Sequence, residues 1–541
     1  MTLTLQSAAT LLNEHHLLRE IITPDQWTMN PATVEGSGKE FTAITYSTQH
    51  IVNGAIMCCK GRFKPEYLKH ADELGMAAYV AEHDYSGYTQ APGLIVNNAS
   101  QALSLLAQAF YDYPQDELTL IGITGTKGKT TTAYLTHAIL NAVSGGKAAL
   151  FSSVDNCLDG EHYHESDLTT PESLDAIRMM REAVSYGMQY LVMEVSSQAY
   201  KVNRVYGLNF DAAAFLNISP DHISPIEHPT FEDYLYCKRR IVANADALVL
   251  GVPGDFAPLI EQDAALAQIP VTTFSLTDPA ADVTATPANA QHTAFAMRAG
   301  GQPLGDLSLA INGDFNYANA AAAIALAHAV GVDVSDPRVL DSMRDVRISG
   351  RMEETHDSQS NTLAIVDYAH NYASVNALLD YVEQRYGNEH PHITLVTGSA
   401  GNKAIDRRKE IIEAAQHRVQ TIILTQEDSD TEPFEDICAQ MYDYVTDPHV
   451  ERIIELDRPT AVQMAVDAAR ARDGFDVLLF IGKGDEQWIK VLNKHVPYEA
   501  MNRSSADSSR DNRKEHDDYD RTRDAADARK GSGGQRHRPA D

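Results

Sequence analysis

The sequence predicts an α/β protein of about three domains, and three observations carry that reading. A chain of 541 residues exceeds the size at which one hydrophobic core keeps growing. The run LTLIGIT, a Gly/Lys/Thr loop and the run TTAYLTHAIL read together as buried strand, tight turn and helix, the opening of an α/β unit. From about residue 350, LAIVDYA, ITLVTG, QTIILTQ and DVLLFIG alternate with helical stretches, the rhythm of a mostly parallel, doubly wound sheet.

Residues 1–115 hold short strand-like runs such as AIMCC and GLIVNN between helical stretches, and they end in the polar connector YDYPQDE. The leucines of MTLTLQSAATLLNEHHLL are spaced as one face of a helix and follow no basic leader, so no export signal is expected. Residues 116–345 add the strands YLVMEV, AAAFLNI and ALVLGV, with DPAADVTATPANAQ as loop or edge-strand material. FNYANAAAAIALAHAV is helical by its alanine content. Residues 346–500 make the third domain. Residues 501–541 hold almost no large apolar side chains and cannot offset the entropy of ordering, so a disordered acidic and polar tail is expected.

With 43% hydrophobic and 22% charged residues, the balance is that of a globular protein and excludes a collagen-like or wholly disordered chain. The net charge of -31 repels phosphate backbones and anionic lipid over long range, which argues for small-molecule partners and against nucleic acid or membrane. No apolar run is long enough to span a bilayer. Cys58, Cys59, Cys157, Cys237 and Cys438 are odd in number and form no CxxC pair, which indicates neither a disulfide framework nor a zinc site. A cytoplasmic monomer is the simplest expectation.

Gly125, Thr126, Lys127, Gly128, Lys129, Thr130 and Thr131 stand between strand and helix, where backbone N–H groups and the helix N-terminus can surround the phosphates of ATP. Lys129 is expected to neutralise the β- and γ-phosphates and Thr130 to place its hydroxyl on Mg2+. Ile123 stands where the strict pattern has its first glycine, so a glycine-rich turn without ligand is the alternative. Glu194, closing YLVMEV, is expected as a second magnesium ligand, against the alternative of a solvated rim carboxylate. His222 in NISPDHIS and Lys238 in FEDYLYCKRR are weak signals singly, and their order after the loop gives them weight. A nucleotide-driven switch, the non-enzyme alternative, would not need these groups together.

The runs GTKGKTT, LTTPES, MEVSSQAY, NISPDH, YLYCKRR, GDFNYAN, ISGRME, DYAHNY and GKGDE follow one another from about residue 45 to 490, and as a set they resemble the Mur ligase family. The resemblance implies a UDP-sugar-binding N-terminal domain, a central P-loop ATPase domain and a C-terminal Rossmann-like domain that closes over ATP and brings an amino acid. The implied activity is an ATP-dependent C–N ligation in peptidoglycan precursor synthesis. A basic amino acid joins UDP-N-acetylmuramoyl-L-alanyl-D-glutamate through an acyl phosphate, releasing ADP and phosphate. By resemblance, Ser47 contacts the UDP-sugar, while Thr169, Thr170, Ser196 and Arg204 grip the muramoyl-dipeptide. Asn319, Arg351, Asp367 and His370 surround the nucleotide. Lys129, Glu194, His222 and Lys238 are the implied catalytic set, with Lys238 carbamylated and Thr130, Glu194, His222 and that carbamate on Mg2+. This sequence departs from the family's usual pattern at Lys127 (asparagine), Val202 (glutamine), Tyr46-Ser47-Thr48 (DSR) and SAGNKAIDRR (the GGDRDKGKR type of loop). The enzyme alternative is a folylpolyglutamate synthase or another Mur ligase, which the pair Thr169-Thr170 and the run MEVSSQAY disfavour.

Members that add meso-diaminopimelate carry a DNPR motif whose arginine pairs with the distal carboxylate. Here the stretch is Glu427, Asp428, Ser429 and Asp430, and an aspartate in place of that arginine repels a carboxylate and attracts an amine. L-lysine is therefore expected over diaminopimelate, with ornithine left open because it is one methylene shorter. Arg408 is expected on the α-carboxylate of the incoming amino acid, and Asp428, Asp430 and Glu486 on its amines. An acidic surface loop is the alternative.

Overall fold

Short apolar runs bounded by turn residues become the strands of three large sheets and a terminal hairpin. In the computed structural model the described residues are 3–224, 227–402, 405–484, 486, 488–492 and 494–497, so the expected tail lies outside them. The first helix, Leu5–Glu14, begins where Thr4 Oγ1 accepts from Ser7 N at 3.1 Å and Ser7 Oγ accepts from Thr4 N at 2.9 Å, a reciprocal cap. Then come β1 (Leu18–Ile22), β2 (Trp27–Thr28), β3 (Ala43–Thr45), β4 (Ala55–Cys58), β5 (Ala78–Ala81) and β6 (Gly93–Val96). They form a sheet of order β2-β1-β6-β5-β4-β3, backed by the helix Ala99–Phe110.

The central sheet takes β7 (Thr119–Thr124), β8 (Ala148–Phe151), β9 (Asp155–Cys157), β10 (Tyr163–Glu165), β11 (Tyr190–Glu194), β12 (Ala212–Phe215), β13 (Leu248–Gly251), β14 (Val271–Ser275), β15 (Val283–Pro287), β16 (Phe295–Ala299) and β17 (Gln302–Leu307). Its order is β10-β9-β8-β11-β7-β12-β13-β14-β15-β16-β17. The middle strands are parallel and buried on both faces, which is why they read as unbroken apolar runs. β7 pairs with β11 on one side and β12 on the other, so the loop beyond its C-terminal end opens at the middle of the sheet. The helices Lys129–Ser144 and Asp314–Ala329 pack side by side across one face.

The third sheet comprises β18 (Glu353–Asp357), β19 (Thr362–Asp367), β20 (His392–Thr397), β21 (Thr421–Leu424), β22 (Glu451–Ile454) and β23 (Asp476–Ile481), ordered β18-β19-β23-β20-β21-β22. Only β18 in this sheet runs antiparallel to its neighbour. β24 (Trp488–Val491) and β25 (Lys494–Pro497) form the hairpin.

One apolar core runs beneath both the first and second sheets: Leu12, Ile21 and Leu106 share it with Leu120, Phe151, Met180 and Ile241. The C-terminal sheet instead buries Leu395, Ile411 and Ile422 on one face and Val396, Val462 and Leu478 on the other, within its own domain. Among the described residues, no helix is long and apolar enough to cross a membrane. Packing around β7 is tight: a Cβ at Gly122 would stand 2.9 Å from the buried ring of Phe210. Gly122→Ala is therefore expected to cost about 1–3 kcal/mol and to lower the melting midpoint by a few degrees in a thermal scan. An unchanged midpoint would mean that the ring gives way freely.

Candidate active site

The loop after β7 needs glycine for two reasons at Gly128. Its φ of +85° is unfavourable for a side chain, and a Cβ there would lie 2.3 Å from Asn319 Oδ1. Asn217 braces the loop by accepting from Lys127 N at 2.9 Å and donating to Lys127 O at 3.0 Å. Thr126 Oγ1 accepts from Ser219 N at 3.0 Å and lies 3.1 Å from the hydroxyl of Tyr234. The helix Lys129–Ser144 starts directly behind, so its free N–H groups face a cavity of about 760 Å³ between the central and C-terminal domains.

Lys129 Nζ donates to Gly125 O at 3.0 Å and Thr126 O at 3.2 Å. Lys238 Nζ donates to the same Gly125 O at 2.7 Å. Both amines are thus drawn to one carbonyl, and burial holds both below the ordinary lysine range, Lys238 well below it. Glu194 is 1% exposed and accepts from Ser153 N at 2.8 Å, and Ser153 Oγ stands 3.0 Å from Thr130 Oγ1. Hydroxyl and carboxylate oxygens side by side suit a hard divalent cation such as Mg2+. His222 lines the same cavity with its Nδ1 2.9 Å from Glu227 Oε1.

Of the residues expected around the nucleotide, Asn319, Arg351, Asp367 and His370 all line the cavity. Arg351 lies over the Tyr368 ring at 4.7 Å, and its Nε has no hydrogen-bond partner among the described residues. Asp367 accepts from Met352 N and Ala369 N, yet burial still raises its pKa. His370 donates from Nδ1 to Tyr368 O at 2.6 Å, which leaves Nε2 to accept from Lys127 at 3.1 Å. Burial lowers the pKa of His370 to about 3, in keeping with that neutral form. Burial also lowers Lys127 to about 8.

Thr169 lines the cavity, and Thr170, Ser196 and Arg204 adjoin it through Glu194. Thr170 Oγ1 donates to Glu194 O at 2.9 Å and accepts from Ser196 N at 3.0 Å, and Arg204 Nη1 donates to Thr170 O at 3.2 Å. Arg204 also pairs with Glu172 at 2.8 Å, and Lys60 from the N-terminal sheet meets the same carboxylate. Burial works to raise Glu172, but these two cations hold it below the usual range. Ser47 is not among the lining residues. It lies beside Tyr46, whose hydroxyl donates to Asp175 at 2.6 Å.

The amino-acid set is only partly brought together. Glu486 lines the cavity, with Gly484 N at 2.8 Å and Lys483 Nζ at 3.3 Å. Asp428 does not, for its Oδ1 already accepts from Lys490 N at 2.9 Å and Lys483 Nζ at 3.2 Å. Asp430 also lies outside the lining, 3.9 Å from Lys490 Nζ. Arg408 stands outside the cavity lining. It is 1% exposed and forks onto Glu432 at 2.9 and 2.7 Å while donating to Gln440 at 2.7 Å, so a substrate carboxylate would have to displace an internal one. Its neighbour Arg407 faces the cavity instead. Sequence reading also passed over Asp221, Lys60, Glu172, Ser153 and Lys483. Asp221 and Glu172 stood inside the runs NISPDH and LTTPES.

A phosphate loop roofed by a second α/β domain, with two lysines and an oxygen-rich corner beneath it, defines an ATP-dependent ligase in which a bond is made under cover. The chain belongs to the Mur ligase family. Residues 123–327 match the Mur ligase middle domain and residues 350–484 the Mur ligase glutamate ligase domain. It is 63% identical over 505 residues to the UDP-N-acetylmuramyl-tripeptide synthetase of Bifidobacterium longum, covering 92% of this chain and 98% of that one. It is 38% identical over 506 residues to the UDP-N-acetylmuramoyl-L-alanyl-D-glutamate--L-lysine ligase of Enterococcus faecalis, covering 92% and 97%. Among solved structures, a UDP-N-acetylmuramoyl-L-alanyl-D-glutamate--2,6-diaminopimelate ligase shares the fold with a TM-score of 0.61 at 20% identity, covering 98% of this chain and all of that one. Family members form amide bonds at the expense of ATP and use Mg2+.

Proposed function

We propose that this enzyme joins L-lysine, or its shorter homologue ornithine, to UDP-N-acetylmuramoyl-L-alanyl-D-glutamate in the cytoplasm. The observation that carries the reading is the convergence of Lys129 and Lys238 on Gly125 O, beside Glu194 and the Thr170, Ser196 and Arg204 group. The acceptor carboxylate attacks the γ-phosphorus, ADP leaves, and an acyl phosphate forms. The amine then attacks the acyl carbon, phosphate leaves, and the amine's proton is released. Lys129 and the helix N-terminus neutralise charge on the transferring group. Arg204 and the paired hydroxyls orient the muramoyl-dipeptide, and Ser47 meets its nucleotide. Thr130, Glu194 and His222 would hold Mg2+, which supplies charge neutralisation and orientation at the phosphates. Burial disfavours the charged form of Lys238, and its free amine would add CO2 to become a carbamate, a further oxygen ligand.

Lysine over diaminopimelate rests on Asp430 and on the company of the nearby cations. Lys483 faces Asp428 and Glu486, and Lys490 faces Asp430, so a distal carboxylate would meet a net acidic surface. The test is phosphate release with ATP, Mg2+ and the muramoyl-dipeptide, adding lysine, ornithine or meso-diaminopimelate separately. Release with lysine or ornithine alone is expected. Release only with diaminopimelate would overturn the acidic-loop argument, and release independent of any amino acid would favour a nucleotide-driven switch.

A further inference from the structure

Asp221 is a carboxylate on which both walls of the cavity converge. It sits in the loop after β12 of the central domain and is 8% exposed. From the C-terminal domain, Arg407 sets Nε and Nη2 on its Oδ1 at 3.1 and 2.5 Å, and Asn371 Nδ2 donates to Oδ2 at 3.3 Å. From the phosphate loop, Lys127 Nζ stands 3.6 Å from Oδ2 and donates onward to His370 Nε2 at 3.1 Å. Within its own loop the Asp221 carboxylate accepts only from His222 N, at 2.9 Å to Oδ1, and its other partners among the described residues come from across the cleft and from the phosphate loop. A shielded carboxylate with an arginine at one oxygen is a strong, direction-specific contact. It joins two domains whose buried cores are separate, with Tyr368 of the third packing against a core of the second.

We propose that Asp221 and Arg407 are a positioning pair that docks the C-terminal domain over the phosphate loop and so keeps water from the acyl phosphate. This rests on the acyl-phosphate reading above. When docking fails, water attacks the acyl carbon in place of the amine: the carboxylate is regenerated, phosphate leaves, and the net change is ATP plus water to ADP plus phosphate.

The experiment measures phosphate released and amide formed in the same reaction for wild type, Asp221→Asn, Arg407→Met and Arg407→Lys. Wild type should release one phosphate per amide. Asp221→Asn and Arg407→Met should raise that ratio above ~3 while amide formation falls on the order of ten-fold, and Arg407→Lys should recover most of the coupling. The double variant Asp221→Asn/Arg407→Met should be no worse than either single change, because both remove one contact. A ratio that stays at one while both rates fall together would overturn the proposal, since a general loss of structure slows both. Small-angle scattering of the full chain with ADP and Mg2+ reads docking without activity: a larger radius of gyration for Arg407→Met than for wild type is expected, and equal radii would overturn it. Wild type that forms no amide on the muramoyl-dipeptide would instead count against the functional reading, with the scattering result still deciding the pair.

Discussion

Lys129→Ala is expected to lower ATP-dependent amide formation by about three orders of magnitude, the size of effect seen when a preorganised cation is removed from a transferring phosphoryl group. The amine already sits in the loop on Gly125 O and Thr126 O, within the cavity that would receive the phosphates. Burial disfavours its charge when no anion is present, and an arriving phosphate restores it. The check is the steady-state rate at saturating substrates, with the melting midpoint as a control on folding. A loss smaller than about ten-fold would remove Lys129 from this role.

Lys238→Ala should be nearly as damaging, about a thousand-fold, because it removes the group proposed to carry a metal-binding carbamate. Lys238 is 2% exposed, lies 4.9 Å from the centre of the Tyr234 ring, and donates to Gly125 O. Burial disfavours a permanent ammonium even with the ring and the carbonyl beside it, and the free amine is what attacks CO2, releasing a proton as the carbamate forms. Labelling with ¹³C-bicarbonate should give a carbamate carbon signal in wild type that is missing from the variant. An active wild-type enzyme without that signal would sink the carbamate while leaving Lys238 essential as an amine donor.

What the sequence made readable, and what it did not, divides along a physical line. Strands such as β7, β11 and β23 are buried on both faces, so their residues had to be apolar without interruption and stood out as runs. The phosphate loop was legible because Gly128 has neither the backbone angle nor the space for any other residue. Arg407 and Arg408 could not be told apart because two adjacent arginines look alike in a string, whereas a helix points successive side chains about 100° apart. One is buried on Glu432, and the other faces the cavity. Asp221 and Glu172 escaped notice for a related reason: their partners lie up to 186 residues away, and pairing at that distance leaves no local periodicity. The acidic loop gave its charges but not its neighbours, so the capture of Asp428 by Lys483 could not be foreseen.

The apolar core shared by the first two domains, beside separate cores in the third, divides the molecule into two bodies, one of two fused domains and one of the third alone. Ser47, Arg204 and the phosphate loop belong to the first body, while Glu486 and the 427–430 loop belong to the second. On the proposed roles, choice of the incoming amino acid can drift by substitutions in the second body alone, with the proposed sugar-nucleotide seat and phosphate-handling groups left as they are.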